Sequence, residues 1–362
     1  EGIERFSKAI QTRDFFTVTK TADSERLLPL PDGCYLVADT ENTLRQRMKS
    51  DEGYMRSYCK NRFYTGSDIA AKLWVGDYQN GDSFHDLAQD AGGIRRLAVL
   101  RADIDNLGQA FVSGFESEKH GQKYVTLSRT ATFSRKLALF FKLHVNTLLQ
   151  EGEYSLHVND EAGPRKATIV YSGGDDVFII GAWDDIIGFA VDLNDSLSDY
   201  AQGTLTISAG IGIYPEKYPV AAMAQQTGEL EDASKAYPGK NAVTLFDESG
   251  TYSWDEFINA VLAEKYELIR DFFQTMRDYG KSFLYRLLDL MRSRDEKINL
   301  ARYAYLLARM EPGDKAPDES KKLYQEFSQK MYQWMLDEKA CKQAITALYI
   351  YVYTIRENAE GE

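Results

Sequence analysis

The stretch Leu97-Ala-Val-Leu-Arg-Ala-Asp-Ile-Asp105 decides the fold prediction for the middle of this 362-residue chain. It is a mostly apolar run that predicts a buried β-strand ending in carboxylates. A second stretch, Tyr171-Ser-Gly-Gly-Asp-Asp176, lies between two runs rich in β-branched and aromatic residues, which is typical of a hairpin tip. Because both acidic stretches lie at strand ends of the same predicted domain, they indicate a shared site.

Helix and strand signals alternate around these two stretches. Helices are predicted for Tyr124–Gln150, Asp184–Tyr200 and Pro219–Ala236, and further strands for Lys166–Ser172, Val177–Trp183, Thr204–Tyr214 and Ala242–Phe246. The resulting order, β-α-β-β-α-β-α-β, contains the ferredoxin-like unit β-α-β-β-α-β. In that unit the first strand and the hairpin are expected at the centre of one antiparallel sheet, so their carboxylates should converge at one end of it.

Composition divides the chain into three predicted domains. Residues 1–93 are predicted to form a small α/β linker domain, residues 94–250 the ferredoxin-like domain, and residues 251–362 an α-helical bundle. In the bundle we predict helices over Asp255–Arg292, Lys297–Met310 and Ser320–Asn358, interrupted by a segment rich in Pro and Gly. The predicted fold class is therefore α+β.

Charge and cysteine content exclude several classes of protein. The chain has 43 Lys plus Arg and 55 Asp plus Glu, a net charge of −12, which argues against a protein that holds nucleic acid across its whole surface. Cys34, Cys59 and Cys341 form no C-x-x-C pair, so we expect a reducing, cytoplasmic setting without a disulfide framework or structural zinc.

The ends and the hydropathy of the chain add two expectations. No apolar run approaches the roughly 18 residues of a transmembrane helix, so no membrane association is expected. The chain starts at Glu1 without an initiator Met or a signal-peptide apolar region. It is therefore expected either to begin inside a longer protein or to have lost its first residues by processing or trimming.

The clustered carboxylates indicate metal chemistry. Three or four of them at one sheet end would repel one another unless a divalent cation neutralised them, and oxygen-only ligation suits Mg²⁺ or Mn²⁺. Such metals can activate a ribose 3′-hydroxyl and stabilise a departing pyrophosphate. Paired glycines let phosphates approach the backbone. The segment Lys235-Ala-Tyr-Pro-Gly-Lys240-Asn241 would add cations for a triphosphate.

Each of these signals also has an ordinary structural interpretation. A lone Gly-Gly-Asp-Asp is most often a hairpin turn, and a lysine-bearing helix end is most often solvated. The matching acidic strand and the lysine segment, taken with the hairpin, favour the catalytic interpretation.

Four motifs in this order resemble the catalytic palm of the large subunit of type III CRISPR interference complexes, most closely the Csm subtype. The motifs are Leu97-Ala-Val-Leu-Arg-Ala-Asp-Ile-Asp-Asn-Leu-Gly108, Tyr171-Ser-Gly-Gly-Asp-Asp176, Ile207-Ser-Ala-Gly-Ile-Gly212 and Pro238-Gly-Lys-Asn241. That palm is related to GGDEF diguanylate cyclases and to nucleotidyl cyclases. Leu73-Trp-Val-Gly-Asp77 and Phe84–Ile94 also resemble the segment that precedes it.

The resemblance implies an ATP-dependent nucleotidyltransferase of antiviral defence. Its activity would be synthesis of cyclic oligoadenylates, by attack of a ribose 3′-hydroxyl on the ATP α-phosphate, switched on when a guide RNA captures a target transcript. Carried over by position, the Mg²⁺ or Mn²⁺ ligands would be Asp103, Asp175 and Asp176, with the Ile104 carbonyl, and the nucleotide contacts would be Ser172, Gly173, Gly174, Asn106 and Lys240. Asp105 would hold these ligand residues in position without contacting the metal itself.

The resemblance also implies partner subunits. This chain departs from the pattern of the full-length family members. Partners would be other Csm-type subunits, namely a repeat-tag-binding subunit and a small helical subunit, with guide and target RNA reached through the complex. Full-length members carry an HD nuclease domain and a first palm, and neither is expected in this chain. His85-Asp86 is interpreted as a structural or surface pair. Either the chain is the C-terminal portion of a split or truncated subunit, or a separate chain carries those domains.

Two other functions remain open at this stage. One is a structural subunit whose palm has lost its catalytic activity. In such a subunit Tyr349, Tyr351 and Tyr353 would lie either at an interface with other subunits or in the core of the helical bundle. The other is a diguanylate cyclase-like enzyme, which is disfavoured because Asp176-Val177 stands where that family has Glu-Phe.

Overall fold

The fold is taken from a computed structural model that describes residues 2–22, 27–62, 69–116, 119, 121–157, 163–276 and 281–356. The strands are β1 (Phe15–Thr19), β2 (Leu27–Pro29), β3 (Tyr35–Asp39), β4 (Tyr54–Lys60), β5 (Ala71–Leu73), β6 (Leu97–Ile104), β7 (Ala167–Gly173), β8 (Asp176–Ala182), β9 (Ile207–Tyr214), β10 (Ala242–Leu245) and β11 (Thr251–Ser253). The chain divides into two compact units, and each is considered by itself.

The helices alternate with the strands in the first two thirds of the chain and follow one another in the last third. They are α1 (Gly2–Thr12), α2 (Glu41–Ser50), α3 (Phe84–Gln89), α4 (Leu107–Ser113), α5 (Leu127–Leu139), α6 (Val145–Gln150), α7 (Trp183–Tyr200), α8 (Val220–Ala236), α9 (Glu267–Thr275), α10 (Lys281–Arg292), α11 (Lys297–Ala308), α12 (Asp318–Leu336) and α13 (Glu338–Ile355). Segments Phe140–His144 and Glu256–Tyr266 are π-helical. Among the described residues, none of these helices is both long and apolar enough to cross a membrane.

The first unit comprises Glu1–Asp77, Thr132–Asn146 and Ser172–Gly174. Its five-stranded sheet has the order β2-β3-β1-β4-β5, antiparallel except for the parallel pair β4–β5. Because side chains alternate along a strand, neighbouring residues of β1 face opposite layers. Phe16 packs with Phe6 of α1, whereas Phe15 packs with Leu44 of α2. The sheet is therefore covered by a helix on each face.

The second unit comprises Tyr78–Ala131, Thr147–Tyr171 and Asp175–Glu362. Its strands join a six-stranded sheet of order β11-β10-β9-β6-β8-β7, in which β6 pairs antiparallel with both β8 and β9. The predicted β-α-β-β-α-β-α-β order is confirmed, with α4 and β11 added. The prediction that the whole hairpin is central is wrong, because only β8 neighbours β6 and β7 lies at the edge. The sheet is also mixed, since β10 runs parallel to β9.

A glycine in β9 sets the distance between the sheet and α8. A β-carbon at Gly210 would lie 2.4 Å from the backbone nitrogen of Glu231 and 2.7 Å from the carbonyl oxygen of Thr227. No real side chain tolerates such distances, so α8 can approach β9 only because position 210 lacks a β-carbon. The same helix contributes Met223 to a core cluster with Leu97 of β6.

A buried carboxylate fixes the end of the central strand. β6 ends at Ile104, one residue earlier than predicted, and Asp105 begins a turn in which its side chain is 6% exposed. Its carboxylate accepts hydrogen bonds from the hydroxyls of Thr206 (2.8 Å) and Ser208 (2.7 Å) and from the backbone N–H of Asn241 (2.9 Å). Asp105 thereby ties β6 to β9 and to the loop between α8 and β10.

The C-terminal helices form the predicted bundle with two breaks that the sequence analysis missed. The helix predicted over Asp255–Arg292 leaves helical geometry at Met276 (φ −101°, ψ 66°), and residues 277–280 lie outside the described residues. The helix predicted over Ser320–Asn358 breaks at Asp337 (φ −96°, ψ 130°), whose carboxylate accepts the N–H of Ala340 at 2.7 Å and caps α13. Residues 357 and 358 lie outside the described residues.

Of the three tyrosines left open in the sequence analysis, Tyr351 and Tyr353 pack against other rings of the second unit, whereas Tyr349 is half-buried beside Phe246. Tyr351 is 4% exposed and its ring lies 5.6 Å from that of Phe273. The ring of Tyr353 lies 5.6 Å from the Trp183 ring, in edge contact. These contacts favour the bundle-core interpretation.

We predict that Asp105→Ala destabilises the protein by about 3 kcal/mol, because three donors lose their acceptor in a buried place. Urea unfolding followed by circular dichroism measures this change. Asp103→Ala is the matched control, since that aspartate lies two residues earlier, is 25% exposed and has a lysine as its only salt-bridge partner among the described residues. The control should cost about 1 kcal/mol or less. Equal losses for the two variants would refute the structural role of Asp105.

Candidate active site

Strand register brings two of the predicted acidic residues face to face. Asp103 in β6 is the register partner of Asp176 in β8, at the ends of adjacent strands. The backbone N–H of Ile104 donates to the carbonyl of Asp175 at 3.2 Å, which fixes the turn residue beside this pair. The structure therefore brings Asp103, Asp175 and Asp176 to one end of the sheet, as the sequence analysis expected.

The electrostatics of this end reflect crowded negative charge. Burial raises the pKa of Asp176 above its ordinary value of 3.8, and the charges of Asp175 and Asp103 raise it further. A hydrogen bond from Tyr171 partly opposes that rise. The charge of Asp176 in turn raises the pKa of the Tyr171 phenol. Ionising Asp176 beside two other carboxylates is costly, and a bound cation would lower that cost.

A lysine of α8 neutralises one member of the cluster. Lys235 Nζ lies 2.8 Å from Asp103 Oδ2 and 2.7 Å from Glu231 Oε1. Burial alone would lower the pKa of Lys235, but its bonds to Asp103 and Glu231 outweigh burial and raise it, so this lysine is a fixed cation. Glu231 is 5% exposed and also contacts Arg101 Nε at 3.2 Å.

The contacts of Glu231 and Tyr171 at this site were not predicted from the sequence. The i,i+4 spacing of Glu231 and Lys235 on α8 was a signal for their pairing. Tyr171 opens the quoted hairpin motif, but its contact with Asp176 depends on the conformation of the hairpin and has no signal in the sequence.

Lys240 and Asn106 meet at the rim of this site. Lys240 Nζ donates to Asn106 Oδ1 at 2.9 Å. Both residues have left-handed backbone conformations, with φ of 56° for Lys240 and 53° for Asn106. Two neighbouring residues held in a sparsely populated conformation are typical of functional loops. The structure thus brings together two residues that the sequence analysis assigned to nucleotide contact.

Ser172, Gly173 and Gly174 belong to the first unit. The Ser172 hydroxyl donates to the carbonyl of Phe141 at 2.5 Å, so its hydrogen is already engaged. Gly174 has φ of 70°, and a β-carbon there would meet no atom within 4 Å. Their role in nucleotide contact stays a prediction.

No ready-made metal cage is present in the described part of the chain, where no three His, Cys, Asp or Glu side chains are grouped to hold an ion. At the sheet end, the Asp103 carboxylate is turned toward Lys235. The four predicted ligands, Asp103, Ile104, Asp175 and Asp176, are neighbours without forming a closed coordination shell. Mg²⁺ commonly uses only one or two carboxylates and completes its shell with substrate phosphates and water. The carboxylates present therefore fit an ion that arrives with its substrate.

His85 and Asp86 have separate partners. His85 is exposed and its Nδ1 lies 2.8 Å from Glu216 Oε2, whereas Asp86 bonds Ser83 at the start of α3. The two side chains therefore serve local structure.

Two family models match this chain. The one described as Cas10/Cmr2, second palm domain, matches residues 96–244, and the one described as CRISPR RNA silencing complex Cmr2 subunit, second helical domain, matches residues 270–357. The first match includes the acidic strand, the Gly-Gly-Asp-Asp hairpin and the Lys240 loop.

Curated relatives agree with the family models. The protein of Mycobacterium tuberculosis named CRISPR system single-strand-specific deoxyribonuclease Cas10/Csm1 (subtype III-A) is 46% identical over 337 residues, covering 91% of this chain and 40% of the relative. The protein of the same name from Streptococcus thermophilus is 40% identical over 365 residues, covering 99% of this chain and 44% of the relative. The chain thus spans less than half the length of these curated relatives.

Solved structures share the fold. Csm1 of T. onnurineus superposes with a TM-score of 0.70 at 23% identity, over 96% of this chain and 50% of that one. A Csm1-Csm4 cassette in complex with cA4 superposes with a TM-score of 0.67 at 22% identity, over 96% and 49%. With the ferredoxin-like sheet, the acidic hairpin and the helical bundle in place, this chain belongs to the Cas10/Csm1 family of type III-A CRISPR large subunits.

Proposed function

We propose that this chain is the nucleotidyl cyclase portion of a type III large subunit and makes cyclic oligoadenylates from ATP. The observation that carries the proposal is the register pairing of Asp103 with Asp176 on adjacent strands, with Asp175 in the turn beside them. This arrangement concentrates three half-buried carboxylates at one end of the sheet.

The relatives support adenine nucleotides as substrates. Solved Csm1-Csm4 cassettes carry cA4, cA3, AMPPNP, pppApApA or one ATP according to their descriptions. What those proteins bind is carried to this chain as part of the proposal, because the shared fold places an equivalent palm here.

The carboxylates are proposed to hold Mg²⁺ or Mn²⁺. The raised pKa of Asp176 reflects repulsion that a cation would relieve, and Asp103, Asp175, Asp176 and the Ile104 carbonyl are the proposed ligands. When bound, such an ion would acidify the attacking ribose 3′-hydroxyl and stabilise charge on the α-phosphate.

The cationic residues of the chain have separate tasks in this proposal. Lys235 holds the Asp103 carboxylate in place, and Glu231 with Arg101 fixes the lysine. Lys240, with Asn106 at 2.9 Å, lies on the loop after α8 and would bind phosphate, while Asn106 would contact base or ribose. Ser172, Gly173 and Gly174 would complete the nucleotide contacts.

The proposed partners follow from the family. One solved relative is described as a Csm1-Csm4 subcomplex in the type III-A CRISPR-Csm interference complex. We therefore propose that this chain works with other Csm-type subunits and meets guide and target RNA through them. The first palm that the resemblance implies would come from the same subunit or from a separate chain.

A silent structural subunit is the second candidate. The observation that favours it is the salt bridge between Lys235 and Asp103, which leaves one predicted metal ligand engaged. Neither proposal assigns to this chain the deoxyribonuclease activity in the relatives' name.

We predict that the double variant Asp175→Ala/Asp176→Ala loses at least about 100-fold in ATP turnover, since it removes two of the proposed ligands. The chain, alone and assembled with guide RNA, target RNA and partner subunits, is incubated with Mn²⁺ and either ATP or GTP, and mass spectrometry identifies the product. Binding of target RNA by the assembled complex is measured in parallel. The double variant Glu229→Ala/Asp232→Ala is the control, because it removes two exposed carboxylates from α8.

Three outcomes of that experiment separate the candidates. A cyclic oligoadenylate that disappears only in the Asp175/Asp176 variant supports the proposal. Conversion of GTP without ATP would favour the diguanylate cyclase-like enzyme. Target-RNA binding by the assembled complex with no nucleotide product would favour the structural subunit.

We further predict that Asp176→Asn raises the melting temperature by about 1–3 °C at about pH 7 without divalent ions. Because the folded-state pKa of Asp176 lies above the ordinary value of 3.8, its favourable contribution is present below 3.8 and is lost as pH rises through the folded pKa. The asparagine removes that penalty, so the gain should vanish at about pH 4. Melting curves between these pH values measure it, and a variant less stable than wild type at both would contradict the charge-crowding account.

Divalent ions supply a further readout of the same site. Mn²⁺ with AMPPNP should raise the melting temperature of the wild-type chain and should raise that of Asp175→Ala/Asp176→Ala less, because a ligand stabilises the state that binds it. Equal shifts in the two proteins would place the ion elsewhere.

A further inference from the structure

A second cleft lies in the C-terminal part of the second unit. It has a volume of about 590 Å³ and is walled by three segments, namely residues 245–250 after β10, residues 291–295 at the end of α10, and one side of α13. Its volume falls in the range of small-molecule sites, about 300–1,000 Å³. None of the predicted metal or nucleotide ligands lines it. We call it the bundle cleft.

Two polar atoms of the cleft lining are buried and lack a partner among the described residues. They are Arg294 Nη1 and Tyr349 Oη. Buried polar atoms are nearly always hydrogen-bonded, and an exception destabilises the protein unless a partner is supplied. A guanidinium N–H requires an acceptor, and a phenol can donate to the same group. Both unmet requirements are satisfied by a ligand that carries acceptor oxygens.

The aromatic lining is held in a strained conformation. Phe246 has φ of 71°, a region that a bulky residue rarely adopts. Its ring packs against Tyr349 (5.7 Å between centroids) and Tyr353 (5.5 Å). Such strain clusters at active sites, ligand clamps and switch regions. The cleft therefore offers an aromatic wall fixed by backbone geometry.

The charged lining of the cleft has three cations, Arg292, Arg294 and Lys342, and three carboxylates, Asp247, Asp295 and Glu338. The Arg292 guanidinium lies 4.8 Å above the Tyr349 ring and Lys342 stands on the facing helix, both exposed at the rim. On the opposite wall, the Asp247 carboxylate is committed to the N–H and hydroxyl of Ser249. The side chain of Arg294 is held against Cys341, whose thiol pKa is raised by burial and partly lowered by this arginine.

We propose that the bundle cleft binds a nucleotide unit, with its phosphate on Arg294, Tyr349 and Arg292 and its base against the aromatic wall. A phosphate supplies the acceptor oxygens that both buried atoms lack and pairs with guanidinium groups. A base supplies a planar face for aromatic contact. The nucleotide can be a free mononucleotide or one residue of a single-stranded RNA, which share this chemistry.

Binding to the chain in EDTA tests the proposal. Isothermal titration uses four probes: AMP, adenosine, inorganic phosphate and a short single-stranded oligoadenylate with a 5′-phosphate. AMP should bind more tightly than adenosine or phosphate alone. An oligonucleotide that binds more than about tenfold more tightly than AMP identifies RNA as the source, whereas equal or tighter AMP binding identifies a free nucleotide. Absence of binding by every probe up to about 1 mM overturns the proposal.

Two variants localise the binding. Tyr349→Phe removes only the unpartnered hydroxyl, so it should weaken AMP or oligonucleotide binding by about tenfold while the melting temperature stays equal or rises. Arg294→Met should weaken binding by at least as much. Tyr351→Phe, on the same helix but outside the cleft lining, and Arg286→Met, exposed on α10, are the matched controls.

Tyr349→Phe tests the proposal even if Arg294→Met fails to fold. Unchanged affinity in Tyr349→Phe, or equal weakening in Tyr351→Phe, would overturn it. The titrations are repeated in Asp175→Ala/Asp176→Ala, where binding to the bundle cleft should persist. Nucleotide binding by the bundle cleft and the proposed cyclase function can therefore be refuted independently.

Discussion

The arrangement of the second unit depends on one buried carboxylate. Asp105 is 6% exposed and accepts three hydrogen bonds, from two residues at the start of β9 and from the backbone of the loop after α8. Without those donors a carboxylate could not remain buried, because an isolated charge in an apolar interior is too costly. The end of β6, the start of β9 and the Lys240 loop are therefore held as one body.

That constraint determines where the charge of the proposed site falls. Since β6 ends at Ile104, Asp103 is its last acidic residue and faces Asp176 across the ladder. The close approach of α8, which Gly210 permits, brings Lys235 within 2.8 Å of Asp103. The proposed site therefore combines crowded carboxylates with a lysine fixed on Asp103.

Much of this could be predicted from local signals, and the failures have physical causes. The strands around the hairpin were predictable because apolar runs and paired glycines act locally. The break between α12 and α13 was missed because Asp337 lies in a continuous helical pattern, and its capping bond to Ala340 depends on a turn that composition does not encode. The edge position of β7 was missed because strand order in a sheet is a tertiary property.

The sequence by itself determined the element order, the family and the identity of the acidic residues, because these depend on residue type and spacing. Tertiary structure alone decided that Asp105 is an anchor, that Lys235 engages Asp103, and that Arg294 and Tyr349 face one cleft. Those groups come from segments far apart in the chain, so their contacts arise only when helices and strands pack. Hydrogen bonds and charge interactions act over a few ångströms, and only the folded chain sets those distances.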